Sequence, residues 1–214
     1  MDKRTKDVIV VSFALGAAVV SLYFGFAGRS PKLNLDPYEV LGAVTAEETA
    51  KLLADKGRVL VMARDTGADK NPSVEAELTA FQQTLKKHPG LRLVTERVQV
   101  TPMLMMATGG SVPPDQLFKA LETHTNVGAL VLFFGFPALA DAELEALEKS
   151  GVKTVVVSSF LPGYKRLLER RAIHLAIVPR QEALPPNNQA PRTMRERFDQ
   201  DYSIVTPVEA ASLP

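Results

Sequence analysis

Short apolar runs alternate along this chain with stretches of helical character, and that alternation limits its fold more than any other feature. Val59-Leu60-Val61-Met62-Ala63 has no polar residue, and Ala129 to Phe134 reads ALVLFF. A strand that is apolar at every position must be covered on both faces, as a strand inside a parallel sheet is. Leu91 to Val100, Lys153 to Val157 and His174 to Val178 supply three further strands. Helices fall between them. Asn71-Pro72 opens one that continues to about His88, with Pro72 at the first helical position. Pro89-Gly90 ends it. Pro113 or Pro114 opens the next, which ends near His124. Asp141 to Lys149 is a third, closed by Gly151, and Tyr164 to Arg171 is a short basic fourth. Ahead of the first strand, Thr45-Ala46-Glu47-Glu48 reads as a capping box opening a helix to about Asp55, with Gly57 after it.

Strands alternating with helices of this length predict βαβ units and right-handed crossovers. The expected architecture is an α/β, doubly wound, five-stranded parallel sheet of order 2-1-3-4-5, flavodoxin-like in topology. It spans residues 45–180, with no repeat at a solenoid period. Residues 30–44 hold two prolines and read as a linker. The tail, 181–214, begins polar and proline-rich (QEALPPNNQAP). Arg195 to Tyr202 is expected to form a helical turn anchored by Phe198, and Ser203 to Thr206 a short strand. Such a tail packs back onto a sheet edge or clasps another subunit.

The N-terminus is different in kind. Val8 to Gly28 is a run of 21 residues without a charge. As a helix it is roughly 31 Å long, close to the hydrocarbon thickness of a bilayer. It exceeds the apolar core of a typical cleaved signal, although Gly25-Phe26-Ala27 offers a small-x-small site, so cleavage stays open. Lys3, Arg4 and Lys6 precede the run, and Arg29 and Lys32 follow it. That bias favours a cytoplasmic N-terminus and a periplasmic or otherwise extracytoplasmic domain. Residues 1–29 are therefore expected to form a short cytoplasmic segment and a single-pass anchor in the cytoplasmic membrane. Ala17, Ser21 and Gly25 share one helix face, where small residues let a neighbouring transmembrane subunit approach.

Several chemistries are excluded on composition. With 25 Lys+Arg against 24 Asp+Glu the net charge is +1, so no nucleic-acid partner is expected. Zero cysteine removes thiolate metal sites, Fe–S clusters and thiol nucleophiles. His88, His124 and His174 lie in no zinc-hydrolase pattern, and Ser158-Ser159 lacks the nucleophile elbow. No metal, no cofactor and no catalytic residue is expected. Asp65-Thr66-Gly67 sits where a flavodoxin-like protein would cradle a phosphate, but nearby acidic groups would repel one. The third strand ends in Phe134-Gly135, without the acidic residue a receiver domain needs there, and no G-x-G-x-x-G follows the first. Met103, Met105 and Met106 read as packing or interface residues, before copper ligands.

From Arg58 to Arg180 the chain resembles one lobe of a type I periplasmic solute-binding protein. The resemblance rests on RVLVMARDTGADKNPSVEAEL, then PDQLFKALETHTNVGALVLFFGFP, then LEKSGVKTVVVSS, with FDQDYSIVTP resembling the edge segment after such a lobe. It implies a sheet with helices on both faces. Members of that family clamp a ligand between two lobes of a longer chain.

In doubly wound sheets ligands bind beyond the carboxyl ends of the strands. Here those ends carry Arg64, Asp65, Asp69, Ser158 and Arg180, which one crevice would bring together. Arg64 and Arg180 suit a carboxylate or a sugar hydroxyl. The other reading of the same residues is ordinary polar loop ends with helix-capping duties. Two functions follow. The first is a non-catalytic, membrane-anchored accessory subunit. Its external domain would dock on a larger respiratory, photosynthetic or transport complex, with the bilayer and other transmembrane subunits as partners. The alternative is a membrane-tethered domain that binds or senses a small molecule.

Overall fold

Val59, Val61 and Ala63 point to one side of their strand and Leu60 and Met62 to the other, and all five are buried. This strand is β1 (Gly57–Asp65) in a computed structural model that describes residues 16–17, 20–21, 33–65, 67, 70–158, 163–180 and 191–212. The chain divides into two compact units, Met1–Asn34 and Leu35–Pro214.

The second unit begins with α1 (Asp36–Leu52), followed by β1, α2 (Pro72–Leu85) and β2 (Leu91–Gln99). Then come α3 (Pro102–Ala107), α4 (Pro114–Thr123), β3 (Val127–Leu132), α5 (Asp141–Lys149) and β4 (Lys153–Val157). Next are α6 (Lys165–Glu169), β5 (Leu175–Pro179), α7 (Met194–Asp201), β6 (Tyr202–Val205) and a closing 3-10 turn, Ala210–Ser212. The sheet has six strands in the order β2-β1-β3-β4-β5-β6. The first five are parallel, and β6 runs antiparallel to β5, with Ala176 opposite Val205 and Pro179 opposite Tyr202.

Alternation along the strands builds two cores. Val59, Val61, Val131, Val155 and Ile177 meet α1, α2 and Phe198 of α7 on one face. Leu60, Leu130, Leu132 and Val156 meet α4, α5 and α6 on the other. This is the doubly wound α/β architecture expected from the sequence, with one strand more. The tail supplies that strand: Phe198 is fully buried, and Tyr202 to Val205 close the sheet edge.

Two local readings are corrected. The first helix starts at Asp36, not Thr45, so part of the stretch read as a linker is helical. Thr45 caps nothing. It is buried in the middle of α1, and its hydroxyl donates to the Leu41 carbonyl at 2.7 Å, satisfying itself within the helix. Glu48 instead accepts from Lys51 and from Arg195. The loop from Thr101 to Pro114 also contains α3, capped by the Thr101 hydroxyl accepting from the Leu104 amide.

The uncharged run 8–28 lies outside the described residues except for Gly16, Ala17, Val20 and Ser21, which are helical and exposed. Gly25 lies outside them. Among the described residues no helix is long and apolar enough to cross a membrane.

Arg195 pairs with Glu48 at 2.7 Å, and Arg197 reaches both oxygens of Asp36 at 2.6 and 2.8 Å, tying α7 to α1. These pairs are exposed and contribute little each; the Phe198 ring carries the attachment. Phe198→Ala should lower stability by about 3–5 kcal/mol. Urea denaturation followed by circular dichroism checks this. Limited proteolysis should then cut first within residues 191–205.

Candidate functional site

After β1 the chain turns to α2 on one face of the sheet, and after β3 it turns to α5 on the other. The loops diverge and leave a crevice at the carboxyl ends of β1, β3 and β4, the usual place for a ligand in this architecture. A cavity of about 290 Å³ lies there. Arg64, Glu77, Gly110, Phe133, Ser158 and Tyr202 line it, with Tyr38 of α1 at its side.

Arg64 is the penultimate residue of β1 and reaches across to the α3–α4 loop. Its Nη2 donates to the Gly110 carbonyl at 2.8 Å, and its guanidinium carbon lies 5.7 Å from the centre of the Phe134 ring. Gly110 takes a φ of +82°, which lets its carbonyl meet the guanidinium. The Arg64 Nε is buried and has no hydrogen-bond partner among the described residues. Burial lowers the Arg64 pKa, but a guanidinium stays charged. Ser158 follows β4, and its amide donates to the Ile177 carbonyl at 3.0 Å. Its side chain is hydrogen-bonded to Tyr164, whose hydroxyl accepts from the Phe136 amide at 3.1 Å.

Glu77 faces the same cavity from α2. It is 8% exposed, and no hydrogen bond or ion pair reaches its carboxyl among the described residues. Desolvation pushes its pKa up to about 8, so it is largely protonated at neutral pH. Its position is fixed by the close approach of α1. A Cβ at Gly42 would overlap the Glu77 carbonyl oxygen, so only glycine permits this packing. Tyr202 comes from the tail, its pKa raised to about 12 by burial and then by Glu77, Asp201 and Tyr38.

Two of the sequence-nominated residues, Arg64 and Ser158, line this cavity. Asp65 does not. Its Oδ1 accepts from the Gly67 amide at 2.9 Å, and its Oδ2 from Gln99 at 3.5 Å, which shapes the turn after β1. Arg180 is engaged with the tail: its Nε donates to the Asp199 carbonyl at 2.7 Å and its Nη2 to that of Tyr202 at 3.3 Å. Asp69 lies outside the described residues.

Glu77, Tyr38 and Tyr202 were not among the residues expected from the strand ends. A signal existed for Glu77. It stands three residues after Val74 and four before Phe81, on the stripe that α2 turns inward. The histidines lie elsewhere. His88 contacts Asp55 at 2.7 Å, His124 contacts Glu96 at 3.2 Å, and His174 Nδ1 accepts from the Thr154 amide at 3.2 Å. Burial and the charges of Lys153 and Arg171 hold His174 down at about 4. No group of three metal-ligating side chains occurs among the described residues.

The fold is that of one lobe of the periplasmic sugar-binding proteins. A sugar-binding protein of a Bacillus halodurans sugar ABC transporter superposes with a TM-score of 0.56 at 14% identity, covering 82% of this chain and 64% of its own. An arabinose-binding protein of Geobacillus stearothermophilus gives 0.56 at 16%, covering 83% and 63%. A glucose-galactose-binding protein of the same organism gives 0.53 at 13%, covering 81% and 61%. The chain thus spans less than two thirds of the length of these structures. These neighbours are binding proteins by name, not enzymes. Neither a protein-family profile nor a curated protein sequence matches the chain.

The buried groups set a pH dependence of stability. Glu77 has its pKa at about 8 when folded and near 4.5 when unfolded. The folded state therefore keeps a proton the unfolded state has lost, and stability falls as pH rises between those values. His174 acts in the opposite sense: its contribution is complete above about 6.5 and is lost as pH falls toward about 4. Between pH 6.5 and 8 only Glu77 of this pair titrates. Glu77→Gln should raise the melting temperature more at pH 8 than at pH 6.5, as read by differential scanning calorimetry.

Proposed function

We propose that this chain is a non-catalytic binding module, and that the crevice at the ends of β1, β3 and β4 takes a small, hydroxyl-bearing ligand of the sugar or polyol class. The single observation that carries this reading is the cavity itself. It is of about 290 Å³, placed where β1 and β3 diverge, with a guanidinium whose Nε is buried and unpartnered. A volume near the lower end of ligand pockets, which run roughly 300–1,000 Å³, suits a monosaccharide-sized molecule better than a nucleotide. Phe133 and Tyr202 supply apolar walls against the C–H faces of a sugar ring, and Arg64 and Ser158 supply polar groups for hydroxyls. The likeness to one lobe of sugar-binding proteins supports the same reading.

The module works outside the cytoplasm, tethered through the uncharged run 8–28. The solved neighbours of the fold and the basic residues ahead of that run support this placement.

The accessory-subunit reading has one observation in its favour. Met103 and Met106 of α3 are 81% and 86% exposed, beside the glycines that line the cavity. Exposed methionines suit an adaptable contact surface. Under that reading, mild-detergent purification of the tagged full chain should retain stoichiometric membrane partners, and Met103→Glu with Met106→Glu should release them.

The binding reading predicts a ligand-dependent rise in melting temperature. The full chain is screened by differential scanning fluorimetry against pentoses, hexoses, polyols and their amino derivatives. A ligand at a hundred times its Kd stabilises by about 2.7 kcal/mol, which is a readable shift. Ser158→Ala and Arg64→Met should weaken or abolish it. No shift with any member of the panel contradicts the reading.

A further inference from the structure

Resting on the binding reading above, we propose that Glu77 makes this cavity select a ligand carrying a protonated amine in addition to its hydroxyls. The cavity wall leaves one polar group unmatched. Glu77 is more than nine-tenths buried, lines the cavity, and has a carboxyl that no hydrogen bond or ion pair reaches among the described residues. A buried polar group without a partner costs stability. Leucine or glutamine on that face of α2 would avoid the cost of an ionisable group, and Leu78 beside it shows that the packing accepts an aliphatic residue. The chain carries this cost on the wall of a cavity, where a ligand can relieve it.

The charges around the carboxyl decide what relieves it. Among the described residues no basic side chain pairs with Glu77. Facing the same cavity are the phenols of Tyr38 on α1 and Tyr202 on β6, and the guanidinium of Arg64 on β1. Burial first, and then the charges of Glu77, Asp201 and Tyr38, raise the Tyr202 pKa to about 12, so its phenol stays neutral. Arg64 is occupied at one nitrogen by Gly110 and does not shift the carboxyl. The site is therefore bipolar. One wall offers a fixed cation to hydroxyl or anionic oxygens. The other offers a carboxyl that is neutral when the cavity is empty and becomes an anion when a cation arrives. An ammonium placed against it displaces its proton to solvent and forms a desolvated ion pair, and the proton balance closes at one released per ligand bound. A neutral hydroxyl gains no comparable pair there.

The test uses matched probes: glucitol against 1-amino-1-deoxyglucitol, glucose against glucosamine, and galactose against galactosamine. Binding to the full chain is measured by isothermal titration calorimetry. At pH 6.5 in two buffers of different ionisation enthalpy, the amine probe should release close to one proton, and its affinity should rise by about tenfold per pH unit between pH 6 and 7.5. Glu77→Gln should weaken amine binding by about 30-fold or more, release no proton and flatten the pH profile. If that variant does not fold, proton release by the wild-type chain still decides the matter. Equal affinity for the amine and neutral probes, or amine binding without proton release, overturns the inference and leaves the binding reading standing. Binding of neutral probes alone does the same. No binding by any probe overturns both.

Discussion

Every side chain from Val59 to Met62 is buried, on two faces at once, and the rest of the molecule follows from that constraint. A strand of this kind cannot sit at an edge or face water, so it needs neighbours on both sides and helices above and below. β1 has β2 on one side and β3 on the other. Right-handed crossovers then send the next helix to one face after β1 and to the other after β3. The divergence leaves a gap at the carboxyl ends that no regular element fills. The cavity is a by-product of covering both faces, and its chemistry is set by the few residues that happen to border it.

The tail completes the structure in a way the sheet pattern does not require. β5 would otherwise expose an edge, and β6 covers it. Arg180 holds the turn by donating to two tail carbonyls, while Phe198 fills the space between α1 and the sheet. One consequence reaches the cavity. Tyr202 is the first residue of β6 and part of the cavity wall, so the tail that protects the edge also shapes the site.

The strands were legible because period and apolarity agree along them. Val59 to Ala63 and Lys153 to Val157 allow no other reading once helices flank them. The start of α1 was less legible, because Thr45-x-x-Glu48 is a strong local cap signal that tertiary packing overrides. Asp36-Pro37, the actual start, carries a weaker signal, with no side-chain cap on Leu35. At the cavity, Arg64 and Ser158 follow the rule that ligands gather at strand ends, and both line its wall. Arg180 and Asp65 obey the same rule, yet their side chains turn to the tail and to a local turn. A strand-end position fixes where a residue begins, not which way its side chain leaves. Glu77, Tyr38 and Tyr202 come from a helix face, from a stretch read as linker and from the tail. They converge only once the helices pack, through the contact that Gly42 permits.

The site thus pairs a fixed cation at a strand end with an unmatched carboxyl on a helix, across a cavity the topology had to leave. The claim that this cavity is where the protein meets its ligand is tested most directly by amide chemical-shift mapping. The labelled chain is titrated with whichever probe binds. Shifts are expected to concentrate on Arg64, Glu77, Gly110, Gly135 and Ser158, which border the cavity. Shifts gathered instead on α4, α5 or the outer face of α2, with these five unmoved, would contradict it.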